Sequence, residues 1–202
     1  MANFFRKSGN ENSGATATIP SDSPLLKLEG TYVLDPSHTL IGFSARHAMV
    51  TKVRGSFTDF SGTATTKAGL VEPSIEVHIQ TASVTTNEAK RDAHLNSSDF
   101  FEVGKYPTID FVSTDVTATD AATLHVVGDL TIKGVTKSVA IDFDFAGEAQ
   151  DPFGNVRVGL EGSTTVDRKD FGLTWNAALE TGGVLVSDKV TLEFEVSAIK
   201  QA

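Results

Sequence analysis

The sequence predicts an all-β fold, an antiparallel barrel or sandwich of short strands, and three observations predict it. Apolar residues recur at every second position in one segment after another, which is the period of a half-buried strand. Gly, Pro, Asn and Asp clusters separate these segments at short intervals, as turns do. Only one stretch, residues 87–103, reads as helical. The chain of 202 residues is long enough for one domain with a sizeable core and a tail. We divide it into a flexible N-terminal extension, 1–28, and a single β domain, 29–202.

Residues 8–23 are rich in Ser, Thr, Gly, Ala and Asn, a composition that favours disorder. Leu25, Leu26 and Leu28 form a short extended lead-in. In the stretch from Tyr32 to Gly62, the residues Thr39, Ile41, Phe43, Ala45 and His47 share one parity and carry the larger apolar side chains. Asp35-Pro36 marks a turn leading into that strand. A second run, Val53 to Phe60, sets Phe57 and Phe60 three apart, which places them on one face only if the strand breaks its alternation near Asp59. Ile75, Val77 and Ile79 then alternate with Glu76, His78 and Gln80, a strand with a wet outer face. The helix is expected from Glu88 to Asn96 with Asn87 as its N-cap, followed by a single turn at Ser98–Phe101. Beyond Pro107 every segment is a strand. Ile109 and Phe111 face inward, as do Leu124 to Ile132, Val139 to Phe145, Val156 to Val166 and Val190 to Val196, each at alternate positions.

Composition excludes several classes of function. A formal charge of −9 disfavours binding to phosphate backbones, so no nucleic-acid partner is expected. The same charge repels the body of the protein from acidic lipid, although a local basic rim can still meet it. The longest apolar runs fall far short of the roughly 20 residues that cross a bilayer, so no integral membrane span is expected. With no cysteine there is no disulfide and no thiolate chemistry. No basic start followed by an apolar core marks a secretory signal, which leads us to expect a cytoplasmic protein, with a periplasmic or secreted one as the alternative.

The five histidines are the first candidates for chemistry. His38 and His47 face opposite sides of an unbroken strand, His78 and His125 read as outward, and His94 follows Arg91 on the helix, so no metal site or cofactor is expected. Asp35, Ser37 and His38 have the residue types of a hydrolase triad, but along one extended strand they would not converge. The aromatic content is more telling, with thirteen phenylalanines against two tyrosines and one tryptophan. Phe43, Phe57, Phe60, Phe111, Phe143 and Phe171 are candidates to line one interior. Small inward residues, Gly55, Gly128, Gly162 and Ala45, leave room there unless facing rings take it up.

Five blocks carry a resemblance. They are DPSHTLIGFSARH, VRGSFTDFSG, RDAHLNSSDFF with YPTIDF, GDLTIKGVTKSV, and RKDFGLTWNAALETGGVLVSDKVTLEFEV. Their order and spacing resemble the YceI-like family of polyisoprenoid-binding proteins over Tyr32 to Val196. The resemblance implies an antiparallel lipocalin-like β-barrel with a short helical insertion. It also implies a non-enzymatic protein that binds, stores or transports an isoprenoid such as a polyprenyl pyrophosphate or quinone. On that reading His47, Met49 and Trp175 join the phenylalanines on the lumen wall, and Leu95, Phe100 and Phe101 stand at its mouth. Arg91 and His94, in the family's RDxHL block, are candidates for a ligand head group, with Arg46, Arg54, Arg168 and Lys169 as further donors. A hydrolytic or metal-dependent enzyme at the barrel mouth and a solid-core interaction module are the alternatives. Exposed strand edges are compatible with a homodimer.

Overall fold

The computed structural model describes residues 19–180 and 182–202. In chain order its strands are β1 (Gly30–Leu34), β2 (Leu40–His47), β3 (Thr51–Phe57), β4 (Phe60–Lys67), β5 (Val71–Gln80), β6 (Val84–Thr85), β7 (Thr108–Ala118), β8 (Thr123–Ile132), β9 (Val135–Gln150), β10 (Val156–Asp167) and β11 (Val186–Lys200). One α-helix, α1 (Ala89–Asn96), lies between β6 and β7.

These strands close into an eight-stranded antiparallel barrel because two of its staves are each built from two strands in tandem. β1 and β2 run along the same edge of β11, with Tyr32 opposite Lys200 and Ile41 opposite Phe194. β4 and β3 repeat the pattern on the next stave, pairing with β1 and β2 respectively. From there β5, β7, β8, β9 and β10 follow in order and return to β11. Closure removes the free edges that an open sheet of this length would expose. Only β3 departs from the ring, since its outer edge meets the two residues of β6 instead of β5.

The break between β3 and β4 explains the two rings three apart. Thr58 and Asp59 leave the ladder, and Phe57 and Phe60 both turn into the same core, 9% and 6% exposed. A bulge between Ser113 and Asp115 does the same for β7, bringing Val116 to the face that Phe111 occupies. On β11 the outward positions are polar, Lys189, Thr191, Glu193 and Glu195, the reverse of a membrane-spanning barrel whose outer band is apolar. Among the described residues no helix is long and apolar enough to cross a membrane.

The helix starts one residue later than expected. Asn87 takes a left-handed conformation with φ of 59°, and Glu88 is the cap, its carboxylate accepting from the amides of Lys90 and Arg91 at 3.2 and 2.7 Å. A glutamate can reach back two and three residues, so the capping preference for Asn is overridden by this local geometry. The lead-in also differs from the extended run expected of it. Pro24–Lys27 forms a 3-10 turn, Leu25 is fully buried and Leu28 is 7% exposed, both packed against Tyr32, Val126 and Val158. Ser23 Oγ donates to Ala121 O at 2.7 Å, so the segment from Ser23 to Leu28 stoppers the end of the barrel opposite the helix. The part of the extension expected to be disordered at residues 8–18 lies outside the described residues.

Asp35 fastens the corner between β1 and β2. It accepts from Ser37 Oγ at 2.6 Å, pairs with Arg157, and faces His38 Nδ1 at 2.8 Å. Arg157 also donates from Nε to Asp151 at 2.8 Å, linking this corner to the β9–β10 hairpin. The bonds from Ser37, Arg157 and His38 hold the Asp35 carboxyl well below the usual carboxylate range. Its folded value thus lies below the ~3.9 of the unfolded chain, and its contribution is full above that pH and lost as pH falls toward the folded value. We expect Asp35→Asn to cost about 1–3 kcal/mol near neutral pH. In urea melts at a series of pH values, the gap to the wild type should shrink below about pH 4, and a gap that grows on acidification would contradict this role.

Candidate ligand cavity

The barrel interior is hollow. A cavity of about 300 Å³ runs from Leu95, Phe100, Phe101, Phe171 and Leu173 at the helical end to Leu28, Tyr32 and Leu70 at the stoppered end. Almost every wall side chain is apolar, so water that enters would find few partners. The volume lies at the lower end of the range for small-molecule sites, about 300–1,000 Å³.

The glycines and phenylalanines shape this space together. Phe43 pairs across strands with Gly55, and Phe143 with Gly162. Each ring lies over its glycine: a Cβ built on Gly162 would stand 2.6 Å from Phe143 Cδ1, and one on Gly55 would stand 2.8 Å from Phe43 Cε1. Phe111 covers Gly128 in the same way. The glycines therefore contribute no empty pockets of their own. They let the rings lie down on the wall, and the free volume is left along the barrel axis.

Eight of the side chains expected at the site line the cavity: Phe43, Phe57, Leu95, Phe100, Phe101, Phe111, Phe143 and Phe171. Phe60 and Trp175 belong to the surrounding apolar core. His47 and Met49 do not reach the lumen. The strand runs past the rim before it arrives at them, and Met49 is 59% exposed on the β2–β3 turn. Alternation gave the parity of His47 but no sign of where the barrel ends, and Met49 lies beyond β2 on the turn, where alternation no longer applies. Leu192 and Phe194 of β11 also line the wall, and the Phe194 ring lies tilted against Phe143, 5.8 Å between centroids. Their inward parity was readable in the sequence.

The helical insertion covers the side of the barrel left by β3 and β6. Its anchor is a knot of polar contacts: Asp92 accepts from the Thr86 amide at 2.8 Å, and Arg91 donates from Nε to Thr86 Oγ1 at 2.7 Å and from Nη2 to Thr86 O at 3.0 Å. Hydrogen bonds from Thr86 keep Asp92 ionised to lower pH than usual. Arg91 is thus spent on the protein itself. His94 sits beside Asp99, with Nε2 2.9 Å from Oδ2, and sets its ring edge-on to Trp175 at 4.6 Å and Phe100 at 5.0 Å. This aromatic group packs on the insertion where the cavity meets the helical end.

Arg168, 4% exposed, is the one buried cation of the wall among the described residues. It donates to the carbonyls of Ser187 and Trp175 at 2.9 Å each and to that of Leu173, and its Nη2 lies 3.3 Å from Asp188 Oδ1. Burial pulls its pKa down from the ordinary guanidinium value, against the pull of Asp188. Its donors clip the segment between β10 and β11 in place and are not aimed at the lumen. Lys169 bonds Asp188 at 2.9 Å, and Arg46 and Arg54 are exposed on the hairpin outside the cavity.

The Asp35, Ser37 and His38 side chains do converge, contrary to expectation, because Pro36 turns the chain there. Their order is wrong for nucleophilic catalysis: Asp35 lies between the other two and holds both, so Ser37 Oγ bonds the carboxylate and not an imidazole base. Among the described residues no three His, Asp or Glu side chains gather as a metal-ligand set.

Comparison with known proteins adds the following. The model of the YceI-like domain matches residues 32–198. A UPF0312 protein of Pseudomonas syringae pv. syringae (strain B728a) is 43% identical over 145 residues, which cover 70% of this chain and 76% of the relative. The Campylobacter jejuni YCEI protein that crystallizes with large solvent channels superposes with a TM-score of 0.66 at 29% identity, covering 78% of this chain and 90% of its own. A polyisoprenoid binding domain from Saccharophagus degradans superposes with a TM-score of 0.65 over 84% of this chain and 98% of its own. At 15% identity that last likeness shows the fold alone.

If the rings must lie flat on glycine to keep the axis open, a single methyl group should disturb both packing and bore. Gly162→Ala places that methyl 2.6 Å from Phe143 and 2.8 Å from the Asp142 carbonyl, and the ring must swing toward the axis. We expect a loss of about 1–3 kcal/mol in urea unfolding, together with a smaller cavity in a crystal structure of the variant. A stable variant with Phe143 unmoved would contradict the pairing.

Proposed function

Because the chain belongs to the YceI-like family, matched across residues 32–198, we propose that it is a non-enzymatic carrier that holds the tail of an isoprenoid or similar long apolar lipid in its lumen. The observation that carries this reading is the apolar cavity of about 300 Å³ along the barrel axis. At ~24 cal/mol per Å³, that much unfilled core forgoes about 7 kcal/mol. Such a loss is comparable with the whole net stability of a domain, about 5–15 kcal/mol. A hydrocarbon tail restores the missing contacts, gaining about 0.8 kcal/mol for each buried methylene. Roughly eight of them offset an association cost of about 6 kcal/mol, and a small polar metabolite gains no such term.

The donors refine the choice of head group. Arg91, Arg168 and Lys169 are committed to Thr86, to backbone carbonyls and to Asp188. None of them offers a free charge at the cavity wall, which favours a neutral head such as a quinone, or a head left in water, over a buried pyrophosphate. The arrangement of Asp35 between Ser37 and His38 supports a role in which no bond is made or broken.

Trp175, the only tryptophan, packs against the mouth cluster and serves as a reporter. Titration with an isoprenoid quinone should quench its fluorescence, and native mass spectrometry should show the added mass. Phe57→Asp, which puts a charge on the wall, should weaken uptake by about tenfold or more. Ala64→Phe, which fills the lumen without a charge, should do the same while circular dichroism stays that of the native barrel. A wild-type protein that takes up no long-chain lipid would overturn the proposal.

Arg91→Ala tests the head-group assignment. Since Arg91 braces α1, its loss should weaken neutral and anionic lipids alike. A loss confined to ligands with an anionic head would mean that Arg91 reaches the ligand after all.

A further inference from the structure

We propose that the β2–β3 hairpin is a docking tip that sets the helical end of the barrel on an anionic lipid bilayer. The hairpin carries Arg46, Lys52 and Arg54 on its outer face, all exposed. Arg46 stands directly opposite Lys52, and Arg54 opposite Ser44. Like charges facing each other across a strand pair cost stability, and among the described residues none of the three cations forms a salt bridge with a carboxylate. Of the neighbouring carboxylates, Asp188 is engaged with Lys169 and Arg168, at 2.9 and 3.3 Å, Asp167 with Lys189 at 3.5 Å, and Glu193 accepts from the Ser44 hydroxyl at 3.1 Å. A protein of net charge −9 thus concentrates on one hairpin three cations that, among the described residues, have no carboxylate partner, Arg46 donating only to the Val50 carbonyl at 3.4 Å.

The turn between the two strands presents apolar side chains to solvent. Met49 is 59% and Val50 76% exposed, and Val184, 39% exposed, adjoins them on a loop tied to the hairpin by a 2.7 Å bond from the Ala48 amide to Leu185 O. Ala48 and Met49 both hold left-handed backbone conformations, with φ of 48° and 60°. A turn of this kind is usually built from Asn-Gly, because a side chain with Cβ is strained there. Here the chain keeps that strain and places Met at its second position.

An apolar tip ringed by cations matches an anionic membrane surface: Met49 and Val50 enter the boundary between head groups and acyl chains, and Arg46, Lys52 and Arg54 meet the phosphates. The remaining acidic surface is repelled, which fixes the orientation. Ala45 lines both the lumen and the surface groove that Met49, Lys52 and Val184 border, so the docked face is continuous with the wall of the cavity.

The test is sedimentation of the full chain with vesicles of phosphatidylcholine alone and with vesicles of about equal parts phosphatidylglycerol and phosphatidylcholine. The protein should sediment with the anionic vesicles only, and less so as salt is raised. Met49→Asp/Val50→Asp should abolish the association, and Arg46→Gln and Lys52→Gln should each weaken it about fivefold. Phe153→Asp is the control, because Phe153, 89% exposed, lies on the β9–β10 hairpin at the opposite end of the barrel. Sedimentation with neither vesicle, equal sedimentation with both, or tip variants that bind like wild type would overturn the proposal. So would a protein partner captured by the tip in the absence of any vesicle affinity. Lipid uptake read by Trp175 without vesicles should be unchanged in the tip variants, so failure of docking and failure of the carrier role are separate results.

Discussion

The structure depends on how β11 is paired. One continuous strand of fifteen residues, Val186–Lys200, serves as the common edge for β1 and β2, while β10 covers its other side from Asp167 to Arg157. If the ladder with β1 were lost, the ring would open at the stoppered end. If the ladder with β2 were lost, the hairpin that carries Phe43 and Phe57 would leave the barrel. The corner between β1 and β2 must therefore be rigid although it lies outside the ladder. Asp35 supplies that rigidity through Ser37 and through the partly exposed Arg157 on β10, so an ion pair and a turn add to the one backbone bond from the Asp35 amide to Ser197 O.

Closure also decides what the interior can be. An eight-stranded barrel is just wide enough that inward side chains fill it or leave room for one small ligand. Which of these occurs depends on how far the side chains reach toward the axis. Here the largest rings are folded back against glycines on the neighbouring strand, Phe43 on Gly55 and Phe143 on Gly162. The same phenylalanine content paired with alanine or valine would have pushed the rings inward and produced a solid core. The hollow is thus a property of residue pairs, because no single ring or glycine determines it.

This is why the fold was legible in the sequence and the lumen only partly so. Alternation located the strands, and the interval between Phe57 and Phe60 revealed the break at Thr58–Asp59. Parity also put Phe43, Phe111 and Phe143 on the inner face. It did not reveal that the rings and the glycines occupy each other's space, since Gly128 and Phe111 are brought together only by the register of β7 with β8. His47 was misplaced for a related reason: parity fixes the face of a strand but not the height of the barrel rim, and Met49 lies past the end of β2 altogether. The partners of Arg91 and Arg168 are hydroxyls and backbone carbonyls, which leave no charge signature in a sequence. The Asp35–Arg157 pair joins residues 122 apart, and only the closed topology makes them neighbours.

The same topology gives the barrel one side that differs from the rest. Around most of the ring, adjacent strands share ladders of backbone hydrogen bonds, as β8 and β9 do from Thr123 to Ile132. At the outer edge of β3, the ladder is reduced to two residue pairs with β6, and Leu95, Phe100 and Phe101 of the insertion also line the wall. Parting a strand pair exposes a row of backbone donors and acceptors, each with a desolvation cost of its own. The rings of the insertion meet that wall through aromatic contacts such as Phe57 on Phe101, 5.9 Å between centroids, while its polar anchor at Thr86, Arg91 and Asp92 holds the helix itself. On the proposed carrier role, a tail lying against Phe57 and Phe101 would cover the same aromatic surfaces that these rings now cover for each other, a compensation that a ladder of backbone hydrogen bonds does not offer.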